Sequence, residues 1–170
     1  MSRSMLFRAA IVVASDSRSS SRRRDETGPA ARQCLTALGV DAAEVRVVPD
    51  EQIAIEDALR DLAGKNDITL ILTAGGTGLS PRDVTPEATL EVIERLVPGI
   101  PEMLRQKSMA VTPRAALSRG VAGILNRTLI INLPGSPNAV RETIAFLAPI
   151  LPHALQSVCG EVVECGRNSH

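Results

Sequence analysis

The segment 73–88, TAGGTGLSPRDVTPEA, sets the narrowest limits on this chain, because it sets Gly75, Gly76 and Gly78 between a run of strand formers and a proline-led helix start. Residues 67–73, DITLILT, are the short apolar run that a buried parallel strand needs, and Thr85-Pro86 reads as N-cap and first helical position. A strand therefore empties into a loop that ends at a helix N-terminus. Backbone N–H groups there lack intrahelical partners and the helix dipole adds positive potential, which suits an anion. Three glycines in four residues cost backbone entropy, and are tolerated where a chain turns oddly or approaches something closely.

The rest of the chain alternates strand and helix patterns. Residues 7–15 read as a strand running into the polar, arginine-rich stretch 16–26. Gly28-Pro29 opens a helix that closes at Gly39, residues 45–48 give a second strand stopped at Pro49-Asp50, and 51–63 have helical spacing up to Gly64. Beyond the glycine segment, Leu90, Ile93 and Val97 mark a helix broken at Pro98-Gly99, with another over 101–110. Residues 128–133 form a fourth strand that meets Pro134-Gly135-Ser136-Pro137, and 140–155 read as a helix interrupted near Pro149 and Pro152. The class is α/β, a three-layer doubly wound and mostly parallel sheet, with residues 1–170 expected to make one domain.

Composition excludes several functions. Nineteen basic side chains balance nineteen acidic ones, so no net field favours a polyanion such as DNA. Phe7 and Phe146 are the only aromatic residues, too few for the stacking platforms that hold single strands, so nucleic-acid binding is not expected. Cys34, Cys159 and Cys165 are odd in number and lack a C-x-x-C, and histidine is limited to His153 and His170; neither a disulfide framework nor a zinc site is readable. Cys34 reads as a core residue rather than a nucleophile. No run approaches the ~20 apolar residues of a membrane span, and the expected location is the cytoplasm. The run SRSSSRRR at 17–24 has two readings: a solvated loop, or an arm closing over a polyphosphate.

In an open parallel sheet the loops after the strand carboxyl ends share one edge, where ligands bind. Four such loops carry the polar residues: Ser15-Asp16-Ser17, Pro49-Asp50-Glu51, the stretch 75–83, and Pro134-Gly135-Ser136-Pro137-Asn138. Two end in a hydroxyl followed by proline, Thr85-Pro86 and Ser136-Pro137, so two helix N-termini are expected to face one crevice. The glycine cluster lacks the third glycine of G-x-G-x-x-G, and no Gly-Lys-Ser/Thr follows as in a Walker A loop.

Gly75-Gly76-Thr77-Gly78 followed by residues 81–88, PRDVTPEA, resembles the molybdopterin-binding domain of the Mog and MoaB proteins, also found in plant molybdenum insertase and in gephyrin. Further agreement lies at VPDE (48–51), at Leu117-Ser118-Arg119 and at IINLPGSPNAV (130–140), so the resemblance covers nearly the whole chain. It implies a molybdopterin adenylyltransferase, using ATP and Mg2+ to transfer AMP to the molybdopterin phosphate with release of pyrophosphate. The family's two functionally important aspartates fall on Asp50 and Asp83, and its glycine loop on Gly75, Gly76, Thr77 and Gly78. Ser15, Asp16, Arg82, Ser118, Pro134, Gly135, Ser136, Pro137 and Asn138 are the implied substrate-binding residues. Metal ligation falls to Asp50 or Asp83. The resemblance also implies a homo-oligomer, a trimer or sometimes a hexamer, with the molybdenum insertase as a further candidate partner. The apolar segment 121–125 is a candidate for the interface.

The chemistry suits these loops. A phosphate monoester is already ionised at neutral pH, so its attack on the α-phosphorus of ATP needs alignment of two anions rather than a strong base. Local roles compete at each aspartate: a helix N-cap for Asp50, and a local cap or a pairing with Arg82 for Asp83. Ser118 is equally readable as a cap. A MoaB-type pterin-binding protein without transferase activity is the rival reading, and Asp83-Val84-Thr85-Pro86 matches the transferase pattern.

Overall fold

The computed structural model describes residues 7–160. Cys165 and His170 lie outside the described residues. Six strands form one sheet: β1 (Phe7–Ala14), β2 (Val40–Val48), β3 (Ile68–Ala74), β4 (Arg95–Leu96), β5 (Ala122–Leu125) and β6 (Thr128–Leu133), in the spatial order β2-β1-β3-β6-β5-β4. The first four in that order are parallel, and β5 and β4 close one edge antiparallel.

Strand parity decides what each helix covers. Ile11, Val13, Leu70, Leu72, Leu129 and Ile131 face one side, against α2 (Thr27–Ala37), α5 (Gly99–Met109), α6 (Pro137–Leu147) and α7 (Leu151–Cys159). Val12, Ile71 and Ile130 face the other, against α3 (Gln52–Ala63) and α4 (Thr85–Val92). Apolar side chains on both faces of a strand require cover on both, so the near-continuous hydrophobic runs of β1, β3 and β6 dictate three layers. Each fully buried leucine here contributes about 2 kcal/mol of apolar burial.

Several expectations change in detail. The pattern Leu90, Ile93, Val97 does not make one helix: α4 ends at Val92, Ile93 is extended, and 94–97 pair with β5 through Glu94 N–H to Ile124 O (2.8 Å) and Val97 N–H to Ala122 O (2.9 Å). Sheet bonding outcompetes helix periodicity there, and Leu90, still within α4, is exposed. Segment 121–125, the interface candidate, lies largely in β5, with Ala122 and Gly123 buried in the single chain and no partner chain to test the assignment. The stretch 140–155 divides into α6 and α7 around Pro149, and β2 begins at Val40, five residues before its expected start at Val45. The arginine-rich stretch contains a single helical turn, α1 (Asp16–Ser19). Arg18 folds inward there, its side chain only 10% exposed and 4.0 Å from Asp25, so this arginine is not a solvated one.

Candidate active site

The chain leaves β1 towards β2 on one side, returns to β3 beside β1, and then moves off to β6 on the other side. The change of direction between β1 and β3 opens a crevice at their carboxyl ends, where open α/β sheets bind ligands. All four expected loops meet there. Gly75 donates its amide to Leu133 O (3.1 Å), and a side chain on it would collide with the carbonyl oxygen of Ala14; its φ of +100° also bars other residues. A Cβ on Gly135 would lie 3.1 Å from the Gly75 Cα. The ends of β1, β3 and β6 thus touch at one glycine. Ser15 adds β2 by donating its amide to Val48 O (2.9 Å).

Asp16 and Asp50 cap each other. The Asp16 amide donates to Asp50 Oδ2 at 2.9 Å, and the Asp50 amide donates to Asp16 Oδ1 at 2.9 Å. Asp50 is therefore not the N-cap of α3; Glu51 holds that position. Arg82 reaches Asp16 from the glycine loop through Nε (3.1 Å) and Nη2 (2.8 and 2.7 Å). That grip, followed by the Asp50 amide, holds the exposed Asp16 carboxyl below its ordinary range. Asp50 moves the opposite way. Partial burial pushes its carboxyl up, and the negative charges of Asp16 and Asp83 add to the push.

Asp83 accepts from the Ser80 amide (3.0 Å), so it caps its own turn and leaves Arg82 to Asp16. A Cβ on Gly76 would lie 3.4 Å from Asp50 Oδ1, and one on Gly78 would lie 2.8 Å from Asp83 Oδ2. The two carboxylates therefore stand beside the two ends of one glycine turn.

The anion donors are found in the loop rather than in the helix. The first amide of α4, Thr85 N–H, is spent on Gly76 O (3.1 Å), and Pro86 has none. Thr85 is not the N-cap expected; it is the first helical residue, and its buried hydroxyl has no partner among the described residues. By contrast, among the described residues the amides of Gly76, Thr77, Gly78 and Leu79 donate to no protein atom. Four consecutive free amides in a glycine turn make an anion nest. Ser136 does cap α6, accepting from the Ala139 amide (3.2 Å).

Two cavities adjoin the loops, and only the first borders the glycine turn. One of about 300 Å³ is lined by Thr77, Gly78, Ser118, Asn132 and Pro134, with the α5 side chains Leu104 and Arg105 closing it. The other, about 530 Å³, lies between α2 and α6 and is lined by Arg24, Ser136, Asn138 and Arg141. The loop 134–138 is thus shared, Pro134 facing the first cavity and Ser136, Pro137 and Asn138 the second. Ser118 also accepts from the Gly120 amide (3.3 Å), a local role beside its place in the cavity wall.

Arg119, noted in sequence only as part of Leu117-Ser118-Arg119 and given no role there, is placed by its contacts. Its backbone amide donates to Thr77 O (2.9 Å), Nε to Gly78 O (2.7 Å), and Nη2 to Asp83 O (2.5 Å), while the guanidinium pairs with the Glu87 carboxylate. Glu87 is held below the ordinary carboxylate range by that pairing. The partners lie 32 to 42 residues away in sequence, so no local pattern announces them.

An open α/β protein with a free amide nest at its switch point, two acids and a cavity beside it belongs to the class that holds anionic small molecules. Within that class, the probable molybdopterin binding domain family matches residues 10–153, and the chain belongs to that family. It is 36% identical over 156 residues to the molybdopterin adenylyltransferase of Helicobacter pylori strain J99, covering 91% of this chain and 89% of that protein. It is 40% identical over 148 residues to the molybdenum cofactor synthesis protein cinnamon of Drosophila melanogaster, covering 86% of this chain but spanning 24% of that longer protein. Among solved structures, the molybdopterin biosynthesis enzyme MoaB of Thermus thermophilus superposes with a TM-score of 0.86 at 48% identity, covering 91% of this chain and 98% of that one. Among the described residues no helix is long and apolar enough to cross a membrane.

Proposed function

We propose that the protein is a molybdopterin adenylyltransferase of molybdenum cofactor biosynthesis. One observation carries the reading: Asp50 and Asp83 stand beside Gly76 and Gly78 of a single turn whose amides are free. The names of curated relatives, molybdopterin adenylyltransferase among them, point the same way. They do not favour the rival reading of a MoaB-type binding protein without transferase activity.

In the reaction, an oxygen of the molybdopterin phosphate attacks the α-phosphorus of ATP. The new P–O bond forms as the bond to the β-phosphate breaks, and pyrophosphate leaves with the electron pair. The amides of Gly76, Thr77, Gly78 and Leu79 bind phosphate oxygens and offset the repulsion between the two anions. The cavity bearing Thr77, Ser118 and Pro134 takes the pterin, and the loop carrying Ser136 and Asn138 lines the nucleotide's side. Arg82, engaged by Asp16, keeps the loop closed on β1.

The residues fit a magnesium ion of the kind that substrate phosphates complete. Asp50 and Asp83 each direct one oxygen to a backbone amide and keep the other free of protein donors, whereas no cluster of three or more His, Cys, Asp or Glu among the described residues forms a site by itself. Asp50 or Asp83 would hold the ion, which would supply charge neutralisation for the leaving pyrophosphate. A homotrimer in the cytoplasm, handing its product to a molybdenum insertase, completes the proposal.

The test is incubation with molybdopterin, Mg2+ and labelled ATP. Pyrophosphate release that requires molybdopterin is expected; tight pterin binding with no release would replace the enzyme by a binding protein. With no Trp and no Tyr the protein is nearly transparent at 280 nm, so bound pterin or nucleotide dominates its ultraviolet spectrum.

A further inference from the structure

Four carbonyl groups of the glycine loop are held by protein donors, three of them by one residue. Thr85 N–H takes Gly76 O at 3.1 Å. Arg119 takes the others, through its backbone amide to Thr77 O, Nε to Gly78 O and Nη2 to Asp83 O. The peptide unit is planar and trans, so its N–H points opposite to its C=O. Holding the carbonyls of Gly76, Thr77, Gly78 and Asp83 therefore aims the amides of Thr77, Gly78, Leu79 and Val84 away from Thr85 and Arg119. Left loose, these peptides can flip, and a carbonyl dipole facing a polyphosphate repels it where an amide attracts it.

We propose that Arg119 is a positioning residue for the phosphate cradle: its guanidinium fork sets the polarity of the glycine turn, and Glu87 orients the fork. The inference rests on the adenylyltransferase reading for its kinetic consequence, but its structural part stands apart from that reading. Arg119 lines neither cavity; it acts through the peptides it grips. A planar fork of five donors suits three acceptors in different directions, whereas the lysine ammonium is a compact point charge on a flexible stem. Anchored at both Gly78 and Asp83, the fork also fixes the span between the nest and the Asp83 carboxylate.

The experiment compares wild type with Arg119→Ala, Arg119→Lys and Glu87→Gln by hydrogen exchange of the segment 75–84, by Tm, and by steady-state kinetics with molybdopterin and Mg-ATP. Faster exchange confined to 75–84 is expected in Arg119→Ala, with the β1 and β3 amides unchanged. The same variant should lose ~100-fold in kcat with a KM for molybdopterin within about threefold of wild type, the size expected when oriented donors are lost. Arg119→Lys should remain impaired, Glu87→Gln should fall between, and added guanidinium ion should partly restore Arg119→Ala. Unchanged exchange at 75–84 overturns the proposal, as does loosening spread over the whole sheet, which marks a general structural role. Rescue of full turnover by Arg119→Lys overturns it too. If the wild type itself releases no pyrophosphate, the enzymatic reading fails, while confined loosening in Arg119→Ala still upholds the assignment of Arg119.

Discussion

Asp16 and Asp50, 34 residues apart, each accept a hydrogen bond from the other's backbone amide at 2.9 Å. This exchange ties the ends of β1 and β2 together and makes two adjacent carboxylates tolerable, because each faces a donor. It does so unequally. Arg82 neutralises Asp16, whereas Asp50 is left partly buried among the charges of Asp16 and Asp83.

The pair should therefore titrate in opposite directions from the usual 3.8. Carboxyl carbon NMR is expected to show Asp50 taking up its proton above that value and Asp16 below it. In Arg82→Gln the Asp16 titration should move up. Two aspartates titrating together at the ordinary position would contradict the observed pairing.

Stability and turnover should separate at Asp50. Its folded-state carboxyl is raised, so its contribution to stability is fully present below 3.8 and is lost as the pH rises through the folded value. Asp50→Asn, which keeps an oxygen for the Asp16 amide, should then raise Tm by ~2 °C at neutral pH, a modest gain because the group is only partly buried. The gain should vanish below pH 3.8. Turnover should fall ~100-fold in the same variant. A variant that is less stable at neutral pH than wild type would refute the charge argument.

Asp83→Asn should keep the fold, since the Ser80 amide retains an oxygen acceptor, and lose ~100-fold or more in kcat. Full turnover at saturating ATP and magnesium would remove Asp83 from the machinery.

Gly75→Ala meets two obstacles: a φ of +100° and a clash with the backbone of Ala14, which cannot rotate away. Urea unfolding should show a loss of about 3 kcal/mol or more. Gly99→Ala is the control, because a Cβ there meets nothing within 4 Å. Equal losses at the two positions would mean that the close approach of β1 and β3 has been misread.

Asn132 is a buried amide near the carboxyl end of β6. Its Nδ2 donates to Thr73 and Thr89 hydroxyls at 2.9 Å each, and its Oδ1 accepts from Val121 N–H at 3.1 Å. Asn132→Ala strands those groups and should cost about 2–4 kcal/mol by denaturant titration. A cost below ~1 kcal/mol would show that water or a shifted side chain serves them instead.

The strands β1, β3 and β6 and the helices between them are legible in sequence because apolar runs and spacing are local properties, set by which residues need burial. The same holds for Gly75, Gly76 and Gly78, whose clustering announces an unusual turn, and for Ser136, whose cap is completed three residues on. Other features depend on partners far along the chain. Thr85 looks like an N-cap yet heads the helix with its hydroxyl unpaired, since its amide is claimed by Gly76. Ile93 and Val97 carry a helical spacing that β5 overrides, because hydrogen bonds to a sheet edge outweigh a short run's weak propensity. Arg82 sits next to Asp83 in sequence but spends its charge on Asp16, and Arg119 folds back on carbonyls some 40 residues earlier. What the sequence by itself determined is therefore the layered fold and the glycine turn, both written in short-range patterns of burial and backbone freedom. Only the tertiary structure decided which acid faces which donor and which way the loop's peptides point, because direction in space is fixed by contacts between segments that are strangers along the chain.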